Sequence, residues 1–166
     1  MADALLHGTT LVNAKGETID GGDVGKTGLL ALYFAANWCP DCRAFQSKLN
    51  DFYAEANTST QNLDIVFLSS DMSEEDQQAH FSTKHDDWWM VPRDAEIRNE
   101  LRRKYGIRNG KDDVEVGVTY RNSGIPALVI IRPNGEVLDF QGVQQVENDG
   151  IKALAYWQSK VQSKEQ

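Results

Sequence analysis

Residues 29–42 read LLALYFAANWCPDC, an apolar run followed by two cysteines that are separated by two residues. Cys39 and Cys42 are the only cysteines among 166 residues. The run is apolar at successive positions, which is typical of a central strand in a sheet covered on both faces. A C-x-x-C pair after such a strand lets one thiolate attack a disulfide while the second cysteine resolves the product. We therefore interpret the pair as redox-active.

The residues after Cys39 predict an amphipathic helix from Pro40 to about Glu55. Proline suits the first helical position, because the helix has no use for an N–H there. Apolar residues then recur at helical spacing; they are Phe45, Leu49, Phe52, Tyr53 and Ala56. Cys39 precedes the first turn, where unpaired N–H groups and the macrodipole favour a thiolate. We therefore expect Cys39 to be the nucleophile and the more shielded Cys42 to be the resolving cysteine.

Three other interpretations of the cysteine pair remain open. A structural disulfide would close so short a loop that it adds only about 2 kcal/mol of stability. A zinc site needs four ligands, and the histidines that could complete it are His7, His80 and His85. The cysteines could also be two incidental free thiols.

Composition excludes several classes of function. The formal net charge of −8 argues against a nucleic-acid surface, and we expect Arg102-Arg103-Lys104 to be the solvated face of a helix. No apolar stretch is long enough for a membrane span, and the N-terminus does not resemble a signal peptide. We therefore expect a single domain over residues 1–166 in a reducing compartment, the cytoplasm, with the nucleus also open.

The order of predicted elements is βαβαββα after an N-terminal β-hairpin, with a mixed central sheet flanked by helices. The hairpin belongs to an extension over residues 1–28. The predicted strands are Thr10–Val12, Glu17–Ile19, Leu29–Ala36, Leu63–Ser69, Ala127–Ile131 and Glu136–Asp139. The other predicted helices are Ser73–Lys84, Asp94–Tyr105 and Asp149–Val161.

Several of these pieces together resemble the thioredoxin superfamily, and specifically its tryparedoxin/nucleoredoxin branch. The superfamily-wide matches are Trp38-Cys39-Pro40-x-Cys42 and Gly124-Ile125-Pro126. The narrower matches are Ser69-Ser70-Asp71 and Trp88-Trp89-Met90-Val91-Pro92. The resemblance spans about Leu5 to Trp157 and implies a thioredoxin fold.

The resemblance also implies a client-binding surface beside Cys39. In this superfamily the proline after the isoleucine is cis and packs against the cysteine pair, so Ile125-Pro126 would present backbone to an extended client. Trp38 and Pro40 would complete that surface. Trp88 and Trp89 are expected to be structural, with one ring in the core and the other towards solvent.

Two local departures from the family pattern affect the cysteines. Tyr33 stands where typical thioredoxins carry a buried aspartate, as in the tryparedoxin-like branch. Asp41 replaces the second proline of the motif, and its charge should modulate the ionisation of Cys39 and make the pair more reducing. A further role in deprotonating Cys42 is open.

The third departure is an insertion over residues 108–123, within which Val114–Tyr120 alternates like a short strand. It is interpreted either as a specificity loop or as a tolerated surface insertion.

The function predicted from the sequence is a protein-disulfide reductase, a thiol–disulfide oxidoreductase that cycles Cys39 and Cys42. It needs no metal or organic cofactor, because the pair itself carries two electrons. Expected partners are disulfide-containing proteins and an external thiol or reductase as donor, with trypanothione, glutathione and a reductase all open. A monomer is expected. The alternative is a redox-regulated, nucleoredoxin-like binding module in signalling; a peroxidase is disfavoured, because Arg43 is the only cation adjacent to the pair.

Overall fold

The computed structural model describes residues 4–82 and 87–164. Its strands are β1 (Thr10–Val12), β2 (Thr18–Asp20), β3 (Leu30–Ala35), β4 (Asp64–Ser69), β5 (Trp89–Met90), β6 (Ala127–Ile131) and β7 (Val137–Asp139). Its α-helices are α1 (Pro40–Ala56), α2 (Glu74–Phe81), α3 (Ile97–Tyr105), α4 (Asp113–Val116), α5 (Gly142–Asp149) and α6 (Lys152–Lys164).

Within the described residues these strands form one mixed sheet in the order β2-β1-β5-β4-β3-β6-β7. The central strand β3 is parallel to β4 and antiparallel to β6. The hairpin of β1 and β2 joins the sheet through the pairing of Val12 with Met90. The predicted α/β thioredoxin fold with an N-terminal β-hairpin is thereby confirmed, although residues 1–3 of the predicted extension lie outside the described residues.

Apolar side chains cover both faces of the sheet, and β3 is therefore buried along its whole length. On one face, α1 and α6 pack over Tyr33 and Phe67, and Trp157 of α6 is fully buried. On the other face, Leu101 of α3 belongs to the same cluster as Phe34. The carboxyl end of β3, which leads to the cysteines, is therefore held from both sides.

Trp88 and Trp89 occupy different environments. The Trp88 ring is fully buried and meets the rings of Tyr33 and Tyr53 edge-on, at 5.9 and 6.0 Å between centroids. Trp89 is half-buried. The prediction of one ring in the core and one towards solvent is confirmed.

Two predicted helices differ from the structure at their ends. Ser73 caps α2 by accepting a hydrogen bond from the N–H of Asp76, and α2 ends at Phe81. The predicted end, Lys84, lies outside the described residues. α3 begins at Ile97 instead of the predicted Asp94.

The sequence prediction missed α5. This helix begins at Gly142, where an added Cβ would lie 2.3 Å from the carbonyl oxygen of Leu128. The glycine therefore lets α5 rest directly against β6, a contact that has no local sequence signal. The C-terminal helix starts at Lys152 instead of the predicted Asp149, after a break at Gly150.

Residues 108–123, here called the 108–123 segment, differ most from the prediction. The expected strand over Val114–Tyr120 is wrong. The segment instead contains the short helix α4, which ends at Val116 and is capped by Gly117 with φ of 89°. The alternation of valines was misleading, because Val114 is 85% exposed and packs against nothing that would favour a strand.

The prediction of a solvated face at Arg102–Lys104 is wrong for Arg102, which is 1% exposed. Its guanidinium donates hydrogen bonds to Asp112 at 2.9 Å and to Asp113 at 2.6 Å. A buried arginine requires paired carboxylates, and both come from the 108–123 segment. This ion-pair cluster fastens the segment to α3.

Candidate active site

The two cysteines lie where β3 passes into α1. Cys39 is the N-cap residue, with extended φ and ψ of −89° and 114°. Its Sγ accepts a hydrogen bond from the backbone N–H of Cys42 at 3.2 Å. This bond and the positive end of the helix macrodipole both favour negative charge on the Cys39 sulfur. Cys39 thus lies ahead of the first turn, as the sequence predicts.

The two sulfur-bearing residues differ in their access to solvent. Cys39 is 6% exposed, and Cys42 is 0% exposed. Cys39 borders an open groove, whereas Cys42 belongs to the hydrophobic cluster under α1. Both are thiols in this structure. An attacking thiolate must reach its client, while a resolving thiol needs to reach only Cys39, so the burial of each residue suits its predicted role.

Tyr33 lies fully buried in the same cluster as the cysteines. Burial raises the pKa of its hydroxyl well above the usual range, and negative charge on Cys42 and Cys39 adds to that effect. The hydroxyl therefore stays protonated. Tyr33 cannot act as the base that typical thioredoxins place at this position.

The Ile125–Pro126 peptide bond is cis, as the family resemblance implies. The carbonyl oxygen of Ile125 lies 3.8 Å from the Sγ of Cys39 and accepts from the thiol. Among the described residues, the Ile125 N–H donates to no acceptor. Ile125 therefore offers a backbone donor next to the sulfur.

An open groove of about 640 Å³ runs along Cys39. The predicted site residues Trp38, Pro40 and Ile125 line it together with Cys39. Much of the remaining lining comes from the 108–123 segment. The structure thus brings these predicted residues together and adds the segment as a wall.

The other predicted residues lie elsewhere around the pair. Pro126 and Asp41 line a separate hollow of about 250 Å³, together with Phe140 and Glu147. Asp41 is exposed in the first turn of α1. Asp41 therefore lies outside the groove, and its effect on Cys39 stays a prediction.

A buried carboxylate holds the loop before Cys39. Asp71 accepts a hydrogen bond from the backbone N–H of Asn37 at 2.7 Å. Its other oxygen lies 2.6 Å from Ser69 Oγ and 2.9 Å from His80 Nδ1. The side chains of Asp71 and His80 are 1% and 0% exposed. These contacts tie the loop to β4 and α2.

Asp71 keeps its negative charge in this position. Burial raises the pKa of its carboxyl, but hydrogen bonds from His80, Ser69 and Asn37 outweigh burial and hold that pKa below the usual value. Next to it, the indole N–H of Trp38 donates to the carbonyl oxygen of Ser70 at 3.1 Å. The loop and its tryptophan are therefore both fixed by the carboxyl end of β4.

Sequence reasoning missed the role of His80 and treated it as part of a polar helix. One signal was available: Gln77, His80 and Phe81 have the spacing of a single helix face, and all three are buried. The carboxylate that contacts His80 belongs to Asp71, which follows β4, so only the fold reveals this contact.

The basic residues of the groove were also missed. Arg108, Lys111 and Arg121 line it, and the Lys111 Nζ lies 4.3 Å from the centroid of the Trp38 ring. The sequence shows these residues within a predicted insertion. Whether these side chains line the groove beside Cys39 depends on how the 108–123 segment folds.

The described residues contain no group of three or more Cys, His, Asp or Glu side chains that could hold a metal ion. His85, one candidate ligand of the zinc interpretation, lies outside those residues. None of the described helices combines the length and apolar character that a membrane crossing requires.

Comparison with known proteins places this geometry in a family. The family model described as "Thioredoxin-like" matches residues 28–137. Human nucleoredoxin is 35% identical over 133 residues, which cover 80% of this chain and 25% of that protein. The chain therefore spans about a quarter of the length of this curated relative.

Solved structures agree with this result. A thioredoxin from Wuchereria bancrofti superposes with a TM-score of 0.71 at 32% identity, covering 94% of this chain and 98% of the other. A tryparedoxin from Trypanosoma brucei superposes with a TM-score of 0.70 at 26% identity, covering 93% and 94%. Fold, cysteine geometry and relatives agree: this chain belongs to the thioredoxin superfamily, in its nucleoredoxin/tryparedoxin-like branch.

Proposed function

We propose that this chain is a thiol–disulfide oxidoreductase that reduces disulfides in client proteins. The observation that carries the proposal is the position of Cys39, which caps α1, accepts the N–H of Cys42 and borders an open groove. Its thioredoxin, nucleoredoxin and tryparedoxin relatives support thiol–disulfide chemistry in general.

The reaction proceeds in two exchanges. The Cys39 thiolate attacks one sulfur of the client disulfide, which forms a mixed disulfide and releases the other client sulfur as a thiolate. Cys42 then loses its proton and attacks the Cys39 sulfur, which releases the second client thiolate. The client gains two electrons and, on protonation, two thiol hydrogens. The protein is left with a Cys39–Cys42 disulfide.

Client binding in this proposal uses the backbone beside the sulfur. The Ile125 N–H, which has no acceptor among residues 4–82 and 87–164, can donate to a carbonyl of an extended client, as when a strand is added to a sheet. The Trp38 ring, held by its bond to Ser70, forms a half-buried apolar wall of the same groove. A client disulfide placed on this backbone meets Cys39 directly.

Turnover requires an external electron donor, which we propose to be a thiol or a reductase. A donor thiol reduces the Cys39–Cys42 disulfide by the same exchange in reverse. No metal or organic cofactor is part of this scheme, since the cysteine pair itself carries the electrons.

Insulin-disulfide reduction with dithiothreitol as donor tests the proposal. We expect the wild-type chain to accelerate the reaction, and Cys39→Ser to lose that acceleration completely. Cys42→Ser should retain the first exchange and, once reduced and freed of dithiothreitol, accumulate as a mixed disulfide with insulin. The double variant Cys39→Ser/Cys42→Ser lacks both thiols and is the negative control for the background rate.

Trapping from cell extract gives an independent result. Cys42→Ser should retain client proteins that dithiothreitol releases, and Cys39→Ser should retain none. If wild-type and Cys39→Ser proteins reduce insulin equally, the proposal is wrong. A partner that binds according to the oxidation state, without Cys39-dependent turnover, would instead support the redox-regulated binding module.

A further inference from the structure

The groove beside Cys39 carries positive charge in an acidic protein. The whole chain has a formal net charge of −8. Arg108, Lys111 and Arg121 nevertheless line the groove, all three from the 108–123 segment. Clefts lined by one sign of charge raise the local concentration of oppositely charged ligands.

The nearby carboxylates leave much of this charge available. Asp113 is buried. Its carboxylate accepts hydrogen bonds from the Arg102 guanidinium at 2.6 Å and from the backbone N–H groups of Asn109 and Gly110 at 2.9 and 2.8 Å. Arg108 reaches Asp113 only at 3.7 Å, and its side chain is 41% exposed. Asp113 therefore orders the segment more than it neutralises the groove.

The other two cations line the groove and have no carboxylate partner in the part of the chain that the structure describes. Lys111 lies over the Trp38 ring at 4.3 Å, a cation–π contact within the groove that Cys39 also lines. Arg121 lies against Gly124, where an added Cβ would be 3.0 Å from its guanidinium. Within the described residues, Lys111 and Arg121 form no ion pair. Glu115 is the remaining acidic residue of this wall.

The segment is fixed well enough to hold these cations in place. Besides the Arg102 ion pairs, the N–H of Asn122 donates to Gly106 at 2.8 Å, and the Tyr120 hydroxyl donates to the carbonyl of Lys104. Gly106 is in the left-handed region at φ of 67°, and a Cβ added there would lie 2.7 Å from the Tyr120 ring. Both ends of the segment are thus attached to α3.

We propose that this groove selects clients whose disulfide is flanked by acidic residues, with Arg108, Lys111 and Arg121 binding the client carboxylates. This inference rests on the proposed function of Cys39. The occupant is a polypeptide, because Ile125 offers a backbone donor beside the sulfur and the 108–123 segment supplies much of the lining of the same groove. The segment is therefore the specificity loop of the reductase.

Matched disulfide peptides test the inference. Three homodimeric peptides differ only in three residues flanking the cysteine, which are Glu, Gln or Lys. The second-order rate constant for oxidation of the reduced protein is measured for each peptide. Each value is divided by the rate constant with dithiothreitol, which corrects for the intrinsic reactivity of the peptide disulfide.

We expect the Glu peptide to react about tenfold faster than the Gln peptide at low salt, and the Lys peptide to react slowest. The preference should shrink strongly at 0.5 M salt, since screening then acts over about 4 Å. In the triple variant Arg108→Gln/Lys111→Gln/Arg121→Gln, the Glu-to-Gln ratio should fall to about 1. Glu115→Gln should raise the ratio.

The matched control removes the same charge away from the groove. Lys26→Gln/Lys48→Gln/Lys152→Gln changes three exposed lysines, none of which lines the groove, so it should keep the wild-type ratio. A wild-type ratio near 1 would overturn the inference, as would a groove variant that keeps its preference or a control that loses it.

Two further outcomes separate this inference from the proposed function. Equal, Cys39-dependent rates with all three peptides would refute acidic selection and leave the reductase intact. No Cys39-dependent reaction with any peptide would refute the reductase, and the inference with it. Charge-dependent reduction of glutathione disulfide without preference for the Glu peptide would overturn the polypeptide as occupant.

Discussion

The backbone N–H of Asn37 donates a 2.7 Å hydrogen bond to the carboxylate of Asp71. This bond joins the loop before Cys39 to the end of β4, and His80 on the second oxygen extends the connection to α2. The active-site loop therefore depends on a buried charged group from another strand. Removing that group should affect both stability and its pH dependence.

We predict that Asp71→Asn lowers the free energy of unfolding by about 2–4 kcal/mol at pH 7. The amide cannot supply the charge that hydrogen bonds from His80, Ser69 and Asn37 stabilise, and disrupting a buried, hydrogen-bonded charge is costly. Urea unfolding followed by fluorescence measures the difference. Asp76→Asn, an exposed residue in the first turn of α2, is the control and should change little.

The difference in the free energy of unfolding between wild type and Asp71→Asn should also depend on pH. The pKa of Asp71 is lower in the folded protein than the usual value, so its stabilisation is present above the unfolded pKa of about 3.9 and is lost as pH falls through the folded value. The difference in the free energy of unfolding between wild type and Asp71→Asn should therefore become smaller below about pH 4. A difference that stays constant from pH 7 to pH 3 would contradict this assignment.

Arg102→Ala should cost about 3–5 kcal/mol and loosen the 108–123 segment, because it removes the nearer cation, at 2.6 Å, from the buried carboxylate of Asp113. Hydrogen exchange should rise within residues 108–123 more than in β6. Lys104→Ala is the control on the same helix, since Lys104 is exposed. Equal exchange in both variants would show that Arg102 does not hold the segment.

Asp41→Asn should make the cysteine pair less reducing, by about 10–30 mV. The Asp41 charge lies in the first turn of α1 and disfavours negative charge on Cys39, so its removal stabilises the reduced form. Equilibration with glutathione buffers measures the potential. Asp51→Asn removes the same charge further along α1; a shift of equal size there, or none at Asp41, refutes the local effect.

Gly142→Ala should destabilise the fold by about 3 kcal/mol, because its Cβ would meet the Leu128 carbonyl oxygen at 2.3 Å. Gly16→Ala is the comparison, since Gly16 has φ of 82° but open space around it. It should cost about 1 kcal/mol from backbone conformation alone. Thermal unfolding of both variants separates close packing from backbone strain.

Local sequence signals predicted much of the fold correctly. The burial of β3, the start of α1 at Pro40 and the cap at Ser73 all follow from residue type and spacing within a few positions. α5 was missed because Gly142 is defined by its contact with β6. The strand predicted over Val114–Tyr120 failed for the same reason, since ion pairs with α3 decide how that segment folds.

The sequence by itself determined that two cysteines stand at the start of one helix after a buried strand, because strand burial, proline at the first turn and helical spacing are local properties. Only the tertiary structure decided what surrounds the Cys39 sulfur. Asp71 accepts a hydrogen bond from Asn37, and the carbonyl of Ile125 lies next to the Cys39 sulfur. Arg102 binds two aspartates of the 108–123 segment, whose cations line the groove. The first two contacts join residues that are 34 and 86 positions apart, and the ion pairs of Arg102 join residues that are 10 and 11 positions apart across a turn of the chain. Burial and charge pairing become defined only when the elements that carry these residues pack together.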